Sequence, residues 1–375
     1  MAAATADIAV RAPARRAVGW WLIAVALLIA AMVTLGGLTR LTGSGLSITE
    51  WKPVTGVVPP LSEQAWQTEF AHYRDIPQYR LENRGMSLSE FKSIFWWEWA
   101  HRLLGRLIGA VFLLPFLGFA ASGAIPRREW PRMVLLFALG GLQGAVGWWM
   151  VESGLETRVS VSQYRLAIHL GVAIMLFGAL LWTALEHLRR DAAPAPAKHS
   201  LRLPALILVA LVYLQMLLGA LVAGLHAGLI YNTWPSMNGR LTPEDALVLH
   251  PWWRNVFENP GLAQFDHRML AYLVTVAAAI FWVFVRRIDA PGHLRASSNV
   301  LVSMVFVQVA LGIATLLNQA PLALAALHQI TAVAVFAAAL WTAYEATAGR
   351  SQRSVSWAAT AGHPDETGSY TPEKE

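Results

Sequence analysis

Four histidines lie inside long apolar segments of this chain, and their type and placement could support chemistry. They are His101, His169, His267 and His328. Ionisable side chains are costly in such segments and therefore mark functional sites by default. Each is predicted to lie about 8–10 Å past the outer start of its helix, at about 1.5 Å per residue. The sequence therefore predicts two pairs of imidazoles at matched depth.

Two imidazoles at one level of a helical bundle can bind a metal ion or serve as the axial ligands of a haem iron. Bare zinc or copper would normally have more ligands or thiolates, and the chain has no cysteine. Haem fits better, because the porphyrin supplies four nitrogens and suits an apolar bundle. The lack of cysteine also excludes disulfides, iron–sulfur clusters and covalently attached haem. Hydrogen bonding of each histidine across helices is the alternative.

One carboxylate distinguishes the first histidine pair from the second. Glu98 precedes His101 by three residues, so both share a helix face, whereas the corresponding position before His267 is Gln264. A carboxylate near an apolar boundary can act as a base or position water, and an ion pair with a cation such as Arg102 is the alternative. The first pair is therefore predicted to be reactive and the second to be structural or electron-relaying.

Four arginines flank the histidines, and guanidinium matches carboxylates such as haem propionates. The alternative is that these side chains extend to the membrane interface. They are Arg40, Arg102, Arg165 and Arg268.

The remaining polar residues near the helices carry weaker signals. Asp266 is predicted to cap its helix rather than to face the site. His226 could contact the second site. The other histidines are predicted to be solvated: His72, His187, His199, His250, His293 and His363.

The composition points to membrane helices as the elements that position these residues. The 375 residues are 56% hydrophobic and 14% charged, whereas soluble domains have about 25% charged residues. The apolar residues cluster into runs that can span a bilayer, and the 17 tryptophans suit its interfaces. We predict eight transmembrane helices over about 19–37, 96–120, 133–150, 163–186, 204–224, 266–285, 299–317 and 322–346.

The second half of the chain repeats landmarks of the first. His101 recurs as His267, and the stretch 143–147 recurs as 308–312. Each repeat has four helices, so the repeats are parallel and are predicted to be related by a pseudo-twofold axis along the membrane normal. The predicted fold class is an all-α polytopic membrane protein whose eight transmembrane helices form two parallel four-helix bundles.

Lysine and arginine are denser in one alternate set of loops, which predicts cytoplasmic termini and two large outer loops, 38–95 and 225–265. We predict an integral protein of the inner (cytoplasmic) membrane whose first span is retained. Its predicted units are a cytoplasmic segment 1–18, an amino-terminal bundle 19–186, an inner linker 187–203, a carboxy-terminal bundle 204–346 and a disordered tail 347–375.

The outer loop 38–95 is long for a connector. Residues 62–73 are predicted to form an amphipathic helix. Ser87-Leu88-Ser89-Glu90 is a capping box, so the next helix is predicted to begin near residue 88, outside the membrane. The loop is therefore placed to cover the first histidine pair.

Five motifs together resemble the haem A synthase family over about residues 18–347. The chain is most similar to the cysteine-free proteobacterial and mitochondrial branch of that family. The motifs are Leu35–Ser47 followed by Glu50–Pro53, Glu98–Arg102, Tyr164–Leu170, Tyr231–Met237 and Asp266–Arg268.

The resemblance implies an oxidoreductase that oxidises the C8 methyl of haem O to a formyl group, giving haem A for terminal oxidases. It implies that His101 and His169 bind the substrate haem and that His267 and His328 hold a non-covalent, bis-histidine haem b. The catalytic carboxylate of the family falls on Glu98. Haem O synthase and oxidase assembly factors are the implied protein partners.

Two other functions compete with this one. An electron-carrying cytochrome with two equivalent b haems would need no chemistry of its own, but the Glu98–Gln264 difference argues against equivalence. A transporter could also be built from repeats, although matched histidine pairs are not a transport requirement. Membrane lipid is an expected partner and nucleic acid is not, and small lipid-facing residues would permit a homo-oligomer.

Overall fold

The computed structural model describes residues 2–189 and 201–348. His199, His363 and most of the predicted linker and tail lie outside the described residues. The structure is 76% helical, and the described residues contain no strand. The α-helices are α1 (Ala2–Leu41), α2 (Glu63–Arg74), α3 (Pro77–Leu81), α4 (Leu88–Ala121), α5 (Trp130–Glu152), α6 (Gln163–Arg189), α7 (Arg202–Gly224), α8 (Arg254–Glu258), α9 (Pro260–Arg287), α10 (Gly292–Leu317) and α11 (Leu322–Ala348).

Eight of the described helices are long and apolar enough to cross a membrane, and each contains one predicted span. They are α1, α4, α5, α6, α7, α9, α10 and α11. In the most apolar window of α5 only 6% of the residues are buried, and in that of α4 only 11%. Apolar faces of this extent are not left exposed by soluble proteins, so lipid is the solvent that matches them.

Capping residues fix the amino-terminal ends of α4 and α9. Ser87 Oγ accepts the Glu90 N–H at 3.3 Å while the Glu90 carboxylate accepts the Ser87 N–H at 2.7 Å, which confirms the predicted capping box. The cap of α9 is Asn259, whose side chain accepts the Leu262 N–H at 3.1 Å. The prediction that Asp266 caps this helix is wrong, because the cap and the following proline start α9 earlier and Asp266 lies inside it.

The loop after α1 has a small aromatic core of its own. The predicted amphipathic helix is confirmed as α2, and its buried Phe70 and Tyr73 pack on Phe91 of α4. Tyr73 Oη donates to Gln78 Oε1 at 3.0 Å, and Gln78 Nε2 donates to the Gly43 carbonyl at 3.1 Å. These contacts tie the loop to the part of α4 that precedes the first histidine.

The membrane helices contact one another in two sets. In the first half α1 packs against α4 and α6, and α5 packs against α4 and α6. In the second half α7 packs against α9 and α11, and α10 packs against α9 and α11. The halves meet where α1 contacts α11, α7 contacts α6 and α6 contacts α11.

α11 makes two of the polar contacts that join the halves. Gln329 of α11 donates through Nε2 to the Val33 carbonyl of α1 at 2.6 Å, and its amide lies where a Cβ on Gly37 would be. Glu345, which is 6% exposed, accepts an ion pair from Arg189 of α6 at 2.7 Å. A buried carboxylate needs such a partner, so the second contact also fixes the orientation of two helix ends.

The Gly37 contact generates a stability prediction. We expect Gly37→Ala to lower the free energy of unfolding by about 1–3 kcal/mol, because the new methyl overlaps the Gln329 amide. Removing that amide in Gly37→Ala/Gln329→Ala should restore part of the loss. Thermal unfolding in detergent measures the effect.

Gly109→Ala on α4 is the matched control, since a Cβ there meets nothing within 4 Å. It should leave stability unchanged or raise it by up to about 1 kcal/mol through helix propensity. Equal unfolding temperatures for the Gly37 and Gly109 variants would contradict the packing argument.

Candidate functional site

Each of the four membrane histidines lies against a glycine of the preceding membrane helix. A Cβ built on the glycine would lie 2.8–3.2 Å from the Cε1 atom of the histidine, which is closer than ordinary packing distance. Bare backbone therefore forms one wall beside every ring. The pairs are Gly36–His101, Gly147–His169, Gly219–His267 and Gly312–His328.

The second histidine pair has the separation expected for two ligands of one metal. The ring centroids of His267 and His328 are 6.5 Å apart, with an interplanar angle of 77°. Imidazole–metal bonds of about 2.0–2.1 Å on either side of one ion would place the centroids roughly 6.3 Å apart. Nδ1 of His328 is buried and has no hydrogen-bond partner among the described residues. This pair fits axial ligation of a haem iron.

The first pair is built in the same way on α4 and α6. His101 and His169 each lie against a glycine of the preceding membrane helix, as the histidines of the second pair do. Both rings are half-buried, so part of each is left uncovered by neighbouring side chains. The Nδ1 atom of His101 is itself buried and, within the described part of the chain, has no hydrogen-bond partner. The pairing of His267 with His328 fits their separation, and the pairing of His101 with His169 stays a prediction.

Sequence reasoning missed a set of glutamines that hold the rings. Gln143 Nε2 lies 3.0 Å from His169 Nδ1 and donates to the His169 carbonyl at 2.9 Å. Gln215 does the same to His267, at 3.1 and 3.0 Å. Gln308 Nε2 lies 3.4 Å from His328 Nε2. Each glutamine precedes its wall glycine by four residues, and this spacing was the available signal.

Glu98 is buried, and both of its carboxylate oxygens are occupied. Oε2 accepts the Ser47 hydroxyl at 2.7 Å and the Ile48 N–H at 2.9 Å. Oε1 accepts from Arg102 at 3.1 and 2.6 Å. Arg102 also donates to the carbonyls of Ile48 and Glu50, at 2.7 and 3.0 Å. The pair thus fastens the first outer loop over the helix turn that leads into His101.

Arg106, one turn further along α4, extends this attachment and was not singled out from the sequence. Its guanidinium donates to the carbonyls of Lys52 and Pro53, at 2.7 and 2.8 Å. The loop segment is therefore held by arginines on two successive turns.

In the second half the outer loop is attached to its helix in the same way, but the carboxylate is replaced by the amide of Gln264. Gln264 donates through Nε2 to the carbonyls of Ala227 and Ile230, at 2.7 and 2.6 Å. Arg268 donates to Gln264 Oε1 at 2.8 Å and to the Tyr231 carbonyl at 2.7 Å. An amide can donate to loop carbonyls, whereas a carboxylate can only accept. The sequence difference between Glu98 and Gln264 therefore matches two differently oriented loop backbones.

The four candidate propionate arginines all have protein partners. Arg102 and Arg268 are engaged as described above. Arg165 lies 4.5 Å from the Trp149 ring and donates to the Trp149 carbonyl at 2.5 Å. Arg40 donates to the Ala223 carbonyl of the other half. Their role toward haem propionates stays a prediction.

Two histidines outside the pairs differ from the sequence expectation or refine it. His187 was expected to be solvated, and this is wrong: it is 6% exposed and its Nε2 lies 3.1 Å from Glu129 Oε2, because α6 continues as a packed helix to Arg189. His226 follows α7 with a left-handed φ of 53°. Burial and, to a lesser extent, the Arg40 charge hold its pKa below the usual range.

One further group of metal-ligand type lies in the outer loop. Glu50, Glu69 and His72 have ligand atoms within 4.8 Å of one another. The Lys52 ammonium lies 2.5 Å from Glu50 and 3.0 Å from Glu69, and its hydrogen bond holds the pKa of Glu50 below the ordinary value. A cation of the chain itself thus already balances these carboxylates.

The sequence matches the family described as cytochrome oxidase assembly protein (COX15-CtaA) over residues 19–340. It is 51% identical to the haem A synthase of Parvibaculum lavamentivorans over 325 residues, which cover 87% of this chain and 93% of that protein. It is 54% identical to the haem A synthase of Bradyrhizobium diazoefficiens over 327 residues, 87% and 90% of the two chains. With a haem A synthase of Rhodopseudomonas palustris it shares 50% over 356 residues, 93% and 96%.

The contact between Gly147 and His169 predicts that alanine has different effects on stability at two positions of α5. We expect Gly147→Ala to destabilise the purified protein by about 1–3 kcal/mol, because its Cβ would lie 2.8 Å from His169 Cε1. Gly144→Ala, one turn away, meets nothing within 4 Å and should leave stability unchanged or slightly higher. Thermal unfolding of both variants in detergent is the measurement. A Gly147 variant as stable as the Gly144 variant would mean that the ring does not rest on this backbone.

Proposed function

This chain belongs to the family of cytochrome oxidase assembly proteins that includes the haem A synthases, and on that premise we propose that its two histidine pairs bind two haems with different roles. As a haem A synthase it is an oxidoreductase that converts haem O to haem A. We assign substrate haem O to His101 and His169, and a non-covalent haem b to His267 and His328. The observation that carries this assignment is the repeated histidine–glycine arrangement, in which the buried residue three positions before the first histidine is a carboxylate, Glu98, in the first half and an amide, Gln264, in the second.

The second pair suits a resident haem b because of its donor set and spacing. Two imidazoles 6.5 Å apart and backbone walls at Gly219 and Gly312 suit a flat macrocycle between helices. A haem b held there supplies one-electron transfer. The chain contributes the close packing of both rings against Gly219 and Gly312 and an apolar surrounding.

The first pair faces the substrate. We propose that the C8 methyl of haem O becomes a formyl group by two successive hydroxylations, each adding one oxygen atom at the expense of an external two-electron oxidant, followed by loss of one water. The hydrogen-bonded first outer loop keeps bulk water from the helix turn that carries Glu98 and His101. Glu98 is the carboxylate closest in sequence to the ligand pair, and we assign it the proton transfers that accompany these steps.

The arrangement of the molecule in the membrane is part of the proposal. We propose two four-helix bundles related by a pseudo-twofold axis, 19–186 and 204–346, with both histidine pairs near the outer side. The helix contacts and the matching loop attachments at Arg102 and Arg268 support this arrangement. We place the protein in the inner membrane with cytoplasmic termini. Haem O synthase and oxidase assembly factors are its proposed partners, and a homo-oligomer is compatible with it.

Removal of single histidines tests the division between the halves. We expect His267→Ala and His328→Ala to lose haem B from the purified protein, because each leaves the second site with one protein ligand. His101→Ala and His169→Ala should keep haem B and lose bound haem O or A. Pyridine haemochrome spectra and extracted pigments measure both. Loss of haem B from His101→Ala would reverse the assignment, and two equivalent b haems would favour an electron-carrying cytochrome.

Substitution of Glu98 tests its role in proton transfer. We expect Glu98→Gln to reduce haem A formation by at least about 100-fold while haem content is retained, because the amide cannot accept a proton in this range. The assay measures haem A extracted from membranes that are supplied with haem O.

The loop attachment must be separated from this chemical role. Ser47→Ala removes one hydrogen bond from the loop to Glu98 and leaves the carboxylate in place. We expect it to reduce haem A formation much less than Glu98→Gln does. Equal losses in the two variants would show that Glu98 acts by holding the loop.

A further inference from the structure

Two positions of α5 near the first histidine pair have no side chain and no close neighbour. They are Gly144 and Gly140, which lie one and two turns before Gly147, the glycine that contacts His169. A Cβ built on Gly144 would meet nothing within 4 Å, and one on Gly140 would meet only the Leu176 side chain of α6, at 4.0 Å. The backbone of α5 is therefore bare over about 10 Å below the level of the ring, at 1.5 Å per residue.

Both glycines point into the bundle. At about 100° per residue they lie between the directions of Gly147, which contacts α6, and Phe137, which contacts α4. Phe137 stacks on Phe112 of α4 with the ring centroids 6.0 Å apart, and this aromatic pair marks the inner end of the bare stretch. Gly140 and Gly144 are nevertheless exposed, so the protein does not fill the space in front of them.

The second half is filled at the corresponding positions. The repeat that relates the stretch 143–147 to 308–312 relates Gly140 to Val305 and Gly144 to Val309. Val305 is only 2% exposed. The two bundles therefore differ in the volume that is open on the inner side of their histidines.

Close helix packing does not account for these glycines. Small residues that serve packing let two helices approach closely. Here α5 packs less extensively against α4 and α6 than α10, with its valines, packs against α9 and α11. The space in front of Gly140 and Gly144 is thus left open by the helices on either side of it.

The difference in volume matches a difference between the two haems of the proposed function, on which this inference rests. Haem b has a vinyl group where haem O has a hydroxyethylfarnesyl chain, which is long, branched and apolar. This chain lies on the opposite side of the macrocycle from a propionate. Ionised propionates are costly inside the membrane and belong at its outer, water-facing side, so the chain extends towards the inner half of the bundle.

We propose that Gly140 and Gly144 receive the farnesyl chain of haem O, and that Val305 and Val309 close the same space in the second site. The two glycines select the substrate by shape, because a side chain on either one would occupy the volume of the chain and leave the level of the histidines unchanged. The valines restrict the second site to a haem without such a chain. Both haems are thereby directed to their own bundle.

Binding of two haems to the first site tests the proposal without measuring haem A formation. Purified protein that retains its second-site haem is titrated with haem O and, separately, with haem B, and absorbance changes give the Kd values. We expect the parent protein to bind haem O more tightly. Gly144→Val should weaken haem O binding at least about tenfold and change haem B binding by less than about twofold, because only the farnesyl chain is displaced.

The matched control is Ala145→Val, which adds volume at an exposed position turned about 100° from Gly144 on the helix. It should leave the affinity for both haems unchanged. If valine is not tolerated at position 144, Gly140→Ala and Gly144→Ala carry the test with one methyl each. We expect each of them to weaken haem O binding about threefold and to leave haem B binding unchanged.

A merely structural role of the glycines predicts a different result. Substitutions that disturb α5 or the macrocycle would weaken both haems equally, and this outcome would overturn the proposal. Parental haem O affinity in a folded Gly144→Val variant would also overturn it, as would equal affinity of the parent protein for haem O and haem B.

Failure of this inference can be told apart from failure of the proposed function. If the parent protein binds neither added haem beyond the one it retains, no substrate haem lies between His101 and His169, and the proposed function fails. If the parent protein binds haem O and His101→Ala abolishes this binding, but Gly144→Val does not change it, only the inference about the farnesyl chain is wrong.

Discussion

The approach of a histidine ring to the bare backbone of a neighbouring helix is the contact on which this structure depends. An imidazole inside an apolar bundle must be both accommodated and oriented, and a side chain opposite it would fill the space beside the ring. Glycine at 36, 147, 219 and 312 solves the first problem in all four cases. Because each glycine lies on the helix preceding its histidine, helix order, helix pairing and the depth of the sites are set together.

The outer loops depend on the same helix turns. Arg102 and Arg268 follow their histidines directly and bind loop carbonyls, so the loops are anchored at the residues next to the histidines. The residue four positions earlier completes each attachment, as an acceptor in one half and as a donor in the other. Glu98 therefore has two roles. It holds the first outer loop, which any substitution would disturb, and it has the proposed role in proton transfer, which Gln264 cannot have.

Much of the fold could be predicted from the sequence because its signals are local. Apolar runs, the Ser87 capping box and the amphipathic segment 62–73 each depend on neighbours in the chain, and all three are confirmed. The histidine pairing followed from repeat symmetry. What could not be predicted depends on packing: α9 begins at the Asn259 cap rather than at Asp266, and His187 is buried where α6 packs next to Glu129, the residue before α5. The glutamines near the rings recur in the sequence four residues before each glycine. Their contact with a histidine of the next helix is seen only in the structure.

Several differences between the two repeats lie near His101. Glu98 of α4 stands where the second half has Gln264, and Met32 of α1 stands where it has Gln215. Gly37, which follows Gly36, packs against Gln329, which follows His328. In the other half, the residue that corresponds to Gly37 is Ala220, and the residue that corresponds to Gln329 is Leu170. A duplicated bundle would by itself give two equivalent sites. Here the changes that remove equivalence leave an amide beside each ring of the second pair and place a buried carboxylate on the helix turn before His101.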